Sequence, residues 1–257
     1  MRRMVVIADL HCGARFGLVP PVWQSHYTEG FNAKVSRFQK EIWQWYSKEM
    51  SLIQPVDFLV VNGDAIDGRG EKSGGTELLT TDRNEQANMA IRCIEEVNAK
   101  SILIIQGSPY HTSGGGDDFE YSIADKLGAT YANREIVGFE GATFDFRHKV
   151  GNSSVPYGRM TANRKEATVN TIWQSRGMMD RINFVIRSHV HAYGLSDDGQ
   201  TTCITTPCLQ GQSKFGSREC TMVNDLGFLS FDVENGEAKM THHKFDMRKF
   251  RFETKVY

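Results

Sequence analysis

The sequence predicts an α/β protein in which β-sheets pack as a sandwich with helices outside. Two observations predict it. Short apolar runs rich in Val, Ile and Phe alternate with amphipathic helical stretches through the first half of the chain, and strands dominate later. Alternation followed by strands is the pattern of layered sheets covered by helices.

The elements follow in order. Met4, Val5, Val6, Ile7 and Ala8 are the first strand. Residues 31–53 carry Val35, Phe38, Ile42, Trp45 and Tyr46 at three-and-four spacing. That spacing predicts one helix face on a sheet and assigns its aromatics to the core rather than to base stacking. Phe58, Leu59, Val60 and Val61 are the second strand, and residues 83–99 the next helix, with Asp82 as N-cap. Ile102, Leu103, Ile104 and Ile105 form a third strand, and a helix over 117–127 ends at Gly128. Residues 135–150 read as two antiparallel strands turning at Glu140 and Gly141. A helix over 163–180 and strands over 182–186 and 201–205 come next. Residues 226–233 and 238–245 form a hairpin around Glu234, Asn235, Gly236 and Glu237. Long or glycine-rich loops at 14–30, 69–81 and 112–118, with the stretch 153–162, are expected to shape the rim of a site. The segment 249–256 alternates charge and apolar character, as an edge strand or an oligomer contact does.

A chain of 257 residues suits a single domain over 1–257, and 40% hydrophobic with 24% charged residues is the composition of an ordinary globule. The net charge of −1 gives no global footprint for nucleic acid and leaves only a local basic patch open. The cysteines, Cys12, Cys93, Cys203, Cys208 and Cys220, are odd in number and lack a paired spacing. They argue against a disulfide framework and a zinc ribbon, and for a reducing, cytoplasmic compartment. No signal peptide, membrane helix or membrane partner is expected.

Function is written at the ends of the strands. Asp9 and His11 follow the first run, Asp64 and Asp67 the second, His111 the third, and His189 and His191 follow Phe184, Val185 and Ile186. Ligands of open α/β sheets bind beyond the carboxyl ends of the strands, so these segments converge on one crevice. Carboxylates and imidazoles from separate strand ends suit divalent cations such as Mn, Fe, Zn or Ni. Period-two spacing turns His189 and His191 to the same side if that segment stays extended. Asp67 reads equally as a turn cap or as support for a ligand. Cys12 reads as a small buried thiol, since no base accompanies it. His26, His242 and His243 have no partner pattern. Arg159, Lys214 and Arg218 are candidates for a phosphate-binding rim.

The series Asp9-Leu10-His11-Cys12-Gly13, Gly63-Asp64-Ala65-Ile66-Asp67-Gly68, a lone His148, and Ser188-His189-Val190-His191 resembles the motif order of the calcineurin-like metallophosphoesterases. The resemblance spans roughly residues 4 to 206. It implies a four-layer α/β/β/α sandwich of two mixed β-sheets flanked by helices. It also implies hydrolysis of a phosphate ester by a hydroxide bridging two divalent ions, with Mn foremost and Fe, Zn, Ni or Mg as alternatives. In that pattern Asp9, His11, Asp64 and His191 hold one ion and Asp64, His148 and His189 the other, with Ser108 or water completing the second set. Ser188 stands where the family usually has glycine.

The third motif departs further. Where the family has Gly-Asn-His, this chain reads Gly107-Ser108-Pro109-Tyr110-His111-Thr112, a form similar to phage-encoded phosphoesterases. His111 is then a general acid or phosphate contact, a further metal ligand, or a surface loop residue. The expected substrate is a phosphodiester, with DNA or RNA ahead of nucleotides. A phosphomonoesterase, or a metal-binding interaction module of the same fold, is the alternative. The oligomeric state is not written in the sequence.

Overall fold

The computed structural model describes residues 1–114, 116–151, 153, 155–213 and 224–250. Its first half runs β1 (Arg2–Ile7), α1 (Gly30–Leu52), β2 (Phe58–Val61), α2 (Arg83–Glu95) and β3 (Ile102–Ile105). A one-turn helix α3 (Pro109–Thr112) and a two-residue ladder, β4 (Ser113–Gly114) with β5 (Asp117–Asp118), lead to α4 (Phe119–Leu127) and β6 (Thr130–Ala132). Then come β7 (Glu135–Phe139), β8 (Ala142–Phe146), α5 (Thr161–Ser175), β9 (Phe184–Arg187), β10 (Gly194–Asp197) and β11 (Thr202–Thr205). The hairpin β12 (Gly227–Glu234) and β13 (Glu237–Lys244) follows.

Two mixed sheets result. One has the order β13-β12-β1-β2-β3-β6, the other β10-β11-β9-β8-β7. β1, β2, β3 and β6 are mutually parallel, as are β8, β9 and β11, while the flanking strands pair antiparallel. Strand alternation assigns each side chain to a layer. Met4, Val6, Val60, Leu103 and Ile105 point from the first sheet onto Phe144, Phe146, Ile186 and Ile204 of the second, forming the central core. Val5, Ile7, Leu59, Val61 and Ile104 point the other way, onto Phe38, Ile42 and Tyr46 of α1, Ala90 and Ile94 of α2, and Ile123 of α4. Val185 and Cys203 meet Ala167 of α5 on the far side. The layers are therefore α/β/β/α.

The sequence reading differs in places. His148 lies beyond β8, which ends at Phe146, and not on a strand. α5 stops at Ser175, because Gly177 takes φ 68° and the Met178 amide closes back on the Trp173 carbonyl. β6 and β10 are too short for periodicity to reveal. Residues 247–250 form a 3₁₀ turn, and 251–257 lie outside the described residues.

Phe144 anchors the central core, with its ring 4.7 Å from Phe184 and 5.3 Å from Phe231. Phe144→Ala is expected to destabilise the fold by about 3–5 kcal/mol, the usual cost of emptying such a site. Urea unfolding measures this, and a loss below about 1 kcal/mol would contradict the packing described.

Candidate metal centre

Five parallel strands deliver the candidate residues from their carboxyl ends. Asp9 and His11 follow β1, Asp64 follows β2, Ser108 and His111 follow β3, His148 follows β8, and His189 and His191 follow β9. Five of these residues hold unusual backbone angles: Asp9 (φ 51°), His11 (45°), Asp64 (53°), His189 (75°) and His191 (55°). Left-handed backbone is costly outside glycine and persists only where surroundings impose it. Here the loops hydrogen-bond one another across the sheets. The Asp9 amide donates to Gly63 O at 2.9 Å, the His11 amide to Asp64 O at 3.1 Å, and the Asp225 amide to His191 O at 2.8 Å. The His189–His191 segment is thus turned rather than extended, which corrects the period-two argument and sends the two rings to different partners.

Two clusters form. His11 Nε2 and His191 Nε2 lie 3.1 Å apart, with His191 Nε2 3.2 Å from Asp9 Oδ1. His148 Nε2 lies 3.0 Å and His189 Nδ1 3.8 Å from Asp64 Oδ2. Ligand atoms lie within 4.8 Å of one another in three overlapping groups: Asp9, His11 and His191; His11, Asp64 and His111; Asp64, His148 and His189. Asp64 belongs to two of them.

The donor set fits divalent cations. Asp9 Oδ1 and His148 Nε2 are buried without a hydrogen-bond partner, although each faces an oppositely charged neighbour close by. Buried polar atoms are ordinarily paired, so two orphans aimed into one cluster of carboxylates and imidazoles mark a place for cations. His11 Nδ1 sits 3.0 Å from Asp67 Oδ1 and His148 Nδ1 2.8 Å from Asn62 O, the outer contacts that fix a ligating ring. Asp67 thereby fixes the orientation of the His11 ring.

Charges within the cluster are mutually adjusted. Burial opposes ionisation of Asp9 and Asp64, yet the adjacent imidazoles, His191 on Asp9 and His148 on Asp64, hold both carboxyls below the ordinary value. Burial opposes the His148 cation too, but Asp64 and then Asp9 push the ring up to about 9. His191 is raised against burial by Cys208 and Asp9. His111 is lowered by burial and by neighbouring His11.

Ser108 is committed to Asp64. Its amide donates to Oδ1 at 2.6 Å, and its hydroxyl lies 2.9 and 3.0 Å from the two oxygens. Gly107 is required here, because a Cβ on it would stand 2.3 Å from the Asp64 amide and Oδ1. Ser188, the other departure from the motifs, has its own function. Its hydroxyl accepts from Asn62 Nδ2 at 2.7 Å and from Thr206 Oγ1 at 2.8 Å, tying the two sheets together beneath the cluster. Cys12 is buried with its sulfur 3.7 Å from Cys93 Sγ, a structural thiol as expected. His243 bridges Ser230 and Glu49, and His242 packs on Tyr193, both away from the cluster. Lys214, Arg218 and Cys220 lie outside the described residues.

Sequence reasoning missed Glu120. It is fully buried in the first turn of α4, where its carboxyl accepts from the Ala65 amide at 2.9 Å and from the Gly107 amide. It thereby clamps the residues that flank Asp64 and Ser108. An acid two places after the N-cap Asp118 reads from sequence as a helix-dipole residue, so only the fold exposes this contact. Burial, then the charge of Asp64, pushes Glu120 up to about 8.

These shifts give one pH prediction. The raised His148 contributes stability that is present below the unfolded value near 6.5 and lost as pH rises through about 9. Raised Glu120 keeps its proton in the folded chain after the unfolded chain has ionised near 4.5, so stability falls up to about pH 8. Both act in the same direction between pH 7 and about 8, and His148 alone carries the fall on to about 9. The urea midpoint of metal-free protein is expected to fall over that range, and Glu120→Gln to make the fall shallower. A level or rising midpoint would refute the assignment.

No protein-family model matches the chain, and no curated protein sequence matches it. Among solved structures it is similar to zinc-complexed Vps29 from Entamoeba histolytica, at 10% identity over 95% of this chain and 99% of that one, with TM-score 0.46. It is similar to a predicted phosphoesterase from Streptococcus pneumoniae at 9% identity over 95% and 89%, TM-score 0.43. An archaeal phosphodiesterase aligns at 11% identity over 93% and 99%, TM-score 0.41. In the order of its ligand segments and in its four layers, the chain resembles the calcineurin-like metallophosphoesterases.

Proposed function

We propose that the protein hydrolyses a phosphodiester at a two-cation centre. The observation that carries this reading is the chain of overlapping Asp and His groups, in which His11 joins Asp9 and His191 to Asp64 and Asp64 in turn joins His148 and His189. Asp9, His11, Asp64 and His191 would hold one cation, and Asp64, His148 and His189 the other. The bound pair supplies Lewis-acid polarisation of the phosphate and activation of water. The chain's own residues prepare the place. Asp64 offers two oxygens and a negative charge that offsets cation repulsion, Ser108 fixes its orientation, and Asp67 and Asn62 fix the rings of His11 and His148.

Among the described residues, the amides of Gln210 and Asn224 touch Asp67 and His191 at the edge of the cluster. A diester is the substrate class we favour over a phosphomonoester. Single-stranded nucleic acid is the polymeric substrate we favour, taken along a local groove, since the balanced net charge supports no broad duplex-binding surface. Manganese suits the mixed oxygen and nitrogen donors.

The test is Mn²⁺-dependent hydrolysis of a bis-aryl phosphodiester, an aryl phosphomonoester and single-stranded DNA, before and after chelation. Diester or DNA cleavage abolished by chelator and restored by Mn²⁺ is expected. Preferred monoester cleavage would overturn the substrate class. Retained cations without turnover on any of the three would favour a metal-binding interaction module.

A further inference from the structure

We propose that His111, carried on the short helix α3, is an additional metal-ligating imidazole in the set of His11 and Asp64. This rests on the two-cation reading above and departs from the motif series, whose third segment would offer an asparagine oxygen to a cation and a histidine to the leaving group.

Four observations support it. The first is a shared ring signature. His11 Nδ1 meets Asp67 Oδ1 at 3.0 Å, His148 Nδ1 meets Asn62 O at 2.8 Å, and His111 Nδ1 meets Asp67 O at 2.7 Å. A carbonyl oxygen only accepts, so Nδ1 of His111 carries a proton and Nε2 is the nitrogen left for the cluster. Anchoring of one ring nitrogen to a carbonyl or carboxylate is the habit of ligating histidines.

The second is proximity: His111 offers a ligand atom within 4.8 Å of those of His11 and Asp64. The third is rigidity. The His111 ring is held edge-on between His11 at 4.5 Å and Tyr110 at 4.7 Å. Its carbonyl is seated against Gly68, where an added Cβ would come within 2.5 Å. The fourth is the engagement of Ser108, whose amide and hydroxyl are both spent on Asp64. His111, one helical turn further along the same segment, brings an imidazole into the group of that carboxylate.

The test uses the intact chain with ¹⁵N-labelled histidines, titrated with Zn²⁺. His111 Nε2 is expected to shift together with Nε2 of His11 and His148 as the cation loads, assigned by the loss of one resonance in His111→Gln. His111→Ala is expected to weaken cation binding about 10- to 100-fold by competition with a chelator. Unchanged His111 resonances on loading, or unchanged affinity in a folded His111→Ala, would overturn the proposal while leaving the two-cation centre intact. If no histidine of the wild type responds to Zn²⁺, the underlying centre itself fails.

Discussion

Asp64→Asn is expected to reduce metal-dependent phosphodiester hydrolysis by about a thousandfold or more, close to 4 kcal/mol of barrier. Asp64 is the residue common to two ligand groups, and its carboxylate is ionised against the pull of burial because imidazoles surround it. Asparagine keeps the size and one acceptor oxygen, so the Ser108 amide still has a partner. It removes the charge and the second donor oxygen that two cations would share. The metal-free fold should therefore survive, with a change in urea stability of less than about 2 kcal/mol. Activity on a bis-aryl phosphodiester with Mn²⁺ and unfolding in urea measure the two effects separately. Hydrolysis within tenfold of wild type would remove Asp64 from the mechanism.

The second large effect is on stability. Arg187 is fully buried immediately before the Ser188–His191 turn. Its Nη2 lies 2.8 Å from Asp145 Oδ2 and its Nε 2.7 Å from Glu166 Oε2, and Nη1 donates to the carbonyls of Asp145 and Ile186. Burial opposes the Asp145 charge, but Arg134 and then Arg187 hold its carboxyl down to about 2. Arg187→Leu leaves Asp145 with Arg134 and Asn170 among the described residues and removes the charge-assisted bonds Arg187 makes to Asp145 and Glu166, a loss of about 1.5–3 kcal/mol for each bond to a charged group. For a domain of this size, each kcal/mol lowers Tm by roughly 2–4 °C. A wholly apolar replacement of Arg187, Asp145 and Glu166 is expected to recover much of the loss, because the charges it leaves without these partners, Arg134 and Arg147, are part-exposed to solvent. If Arg187→Leu shifts Tm by less than about 2 °C, the network is dispensable. The pair also borders the site, since Asp145 lies on β8 and Arg187 on β9, whose ends present His148 and His189.

Much of the architecture was legible because its signals are local. The unbroken apolar runs Met4 to Ile7 and Phe58 to Val61 specify strands buried on both faces, and the helix over Val35 to Tyr46 declares its core face. β10 was not legible: Gly194 to Asp197 exposes much of itself on a sheet edge and carries no apolar signature. The site was legible as a set of ligand-type residues in order. Its supporting atoms were not, because Asn62, Ser188, Thr206 and Glu120 act through hydrogen bonds that join residues between 13 and 126 positions apart.

The sequence by itself determined the layers, the strand ends and the residues that gather there, since hydrophobic periodicity and ligand chemistry reside in the side chains. Only the tertiary structure decided which imidazole meets which carboxylate. It turned His189 and His191 to different partners through left-handed backbone, set Ser108 on Asp64, and brought Glu120 and His111 beside loops remote in the chain. The physical reason is range: a side chain's class is fixed locally, whereas the direction of a ring nitrogen or carboxylate oxygen depends on hydrogen bonds that exist only after the sheets have closed.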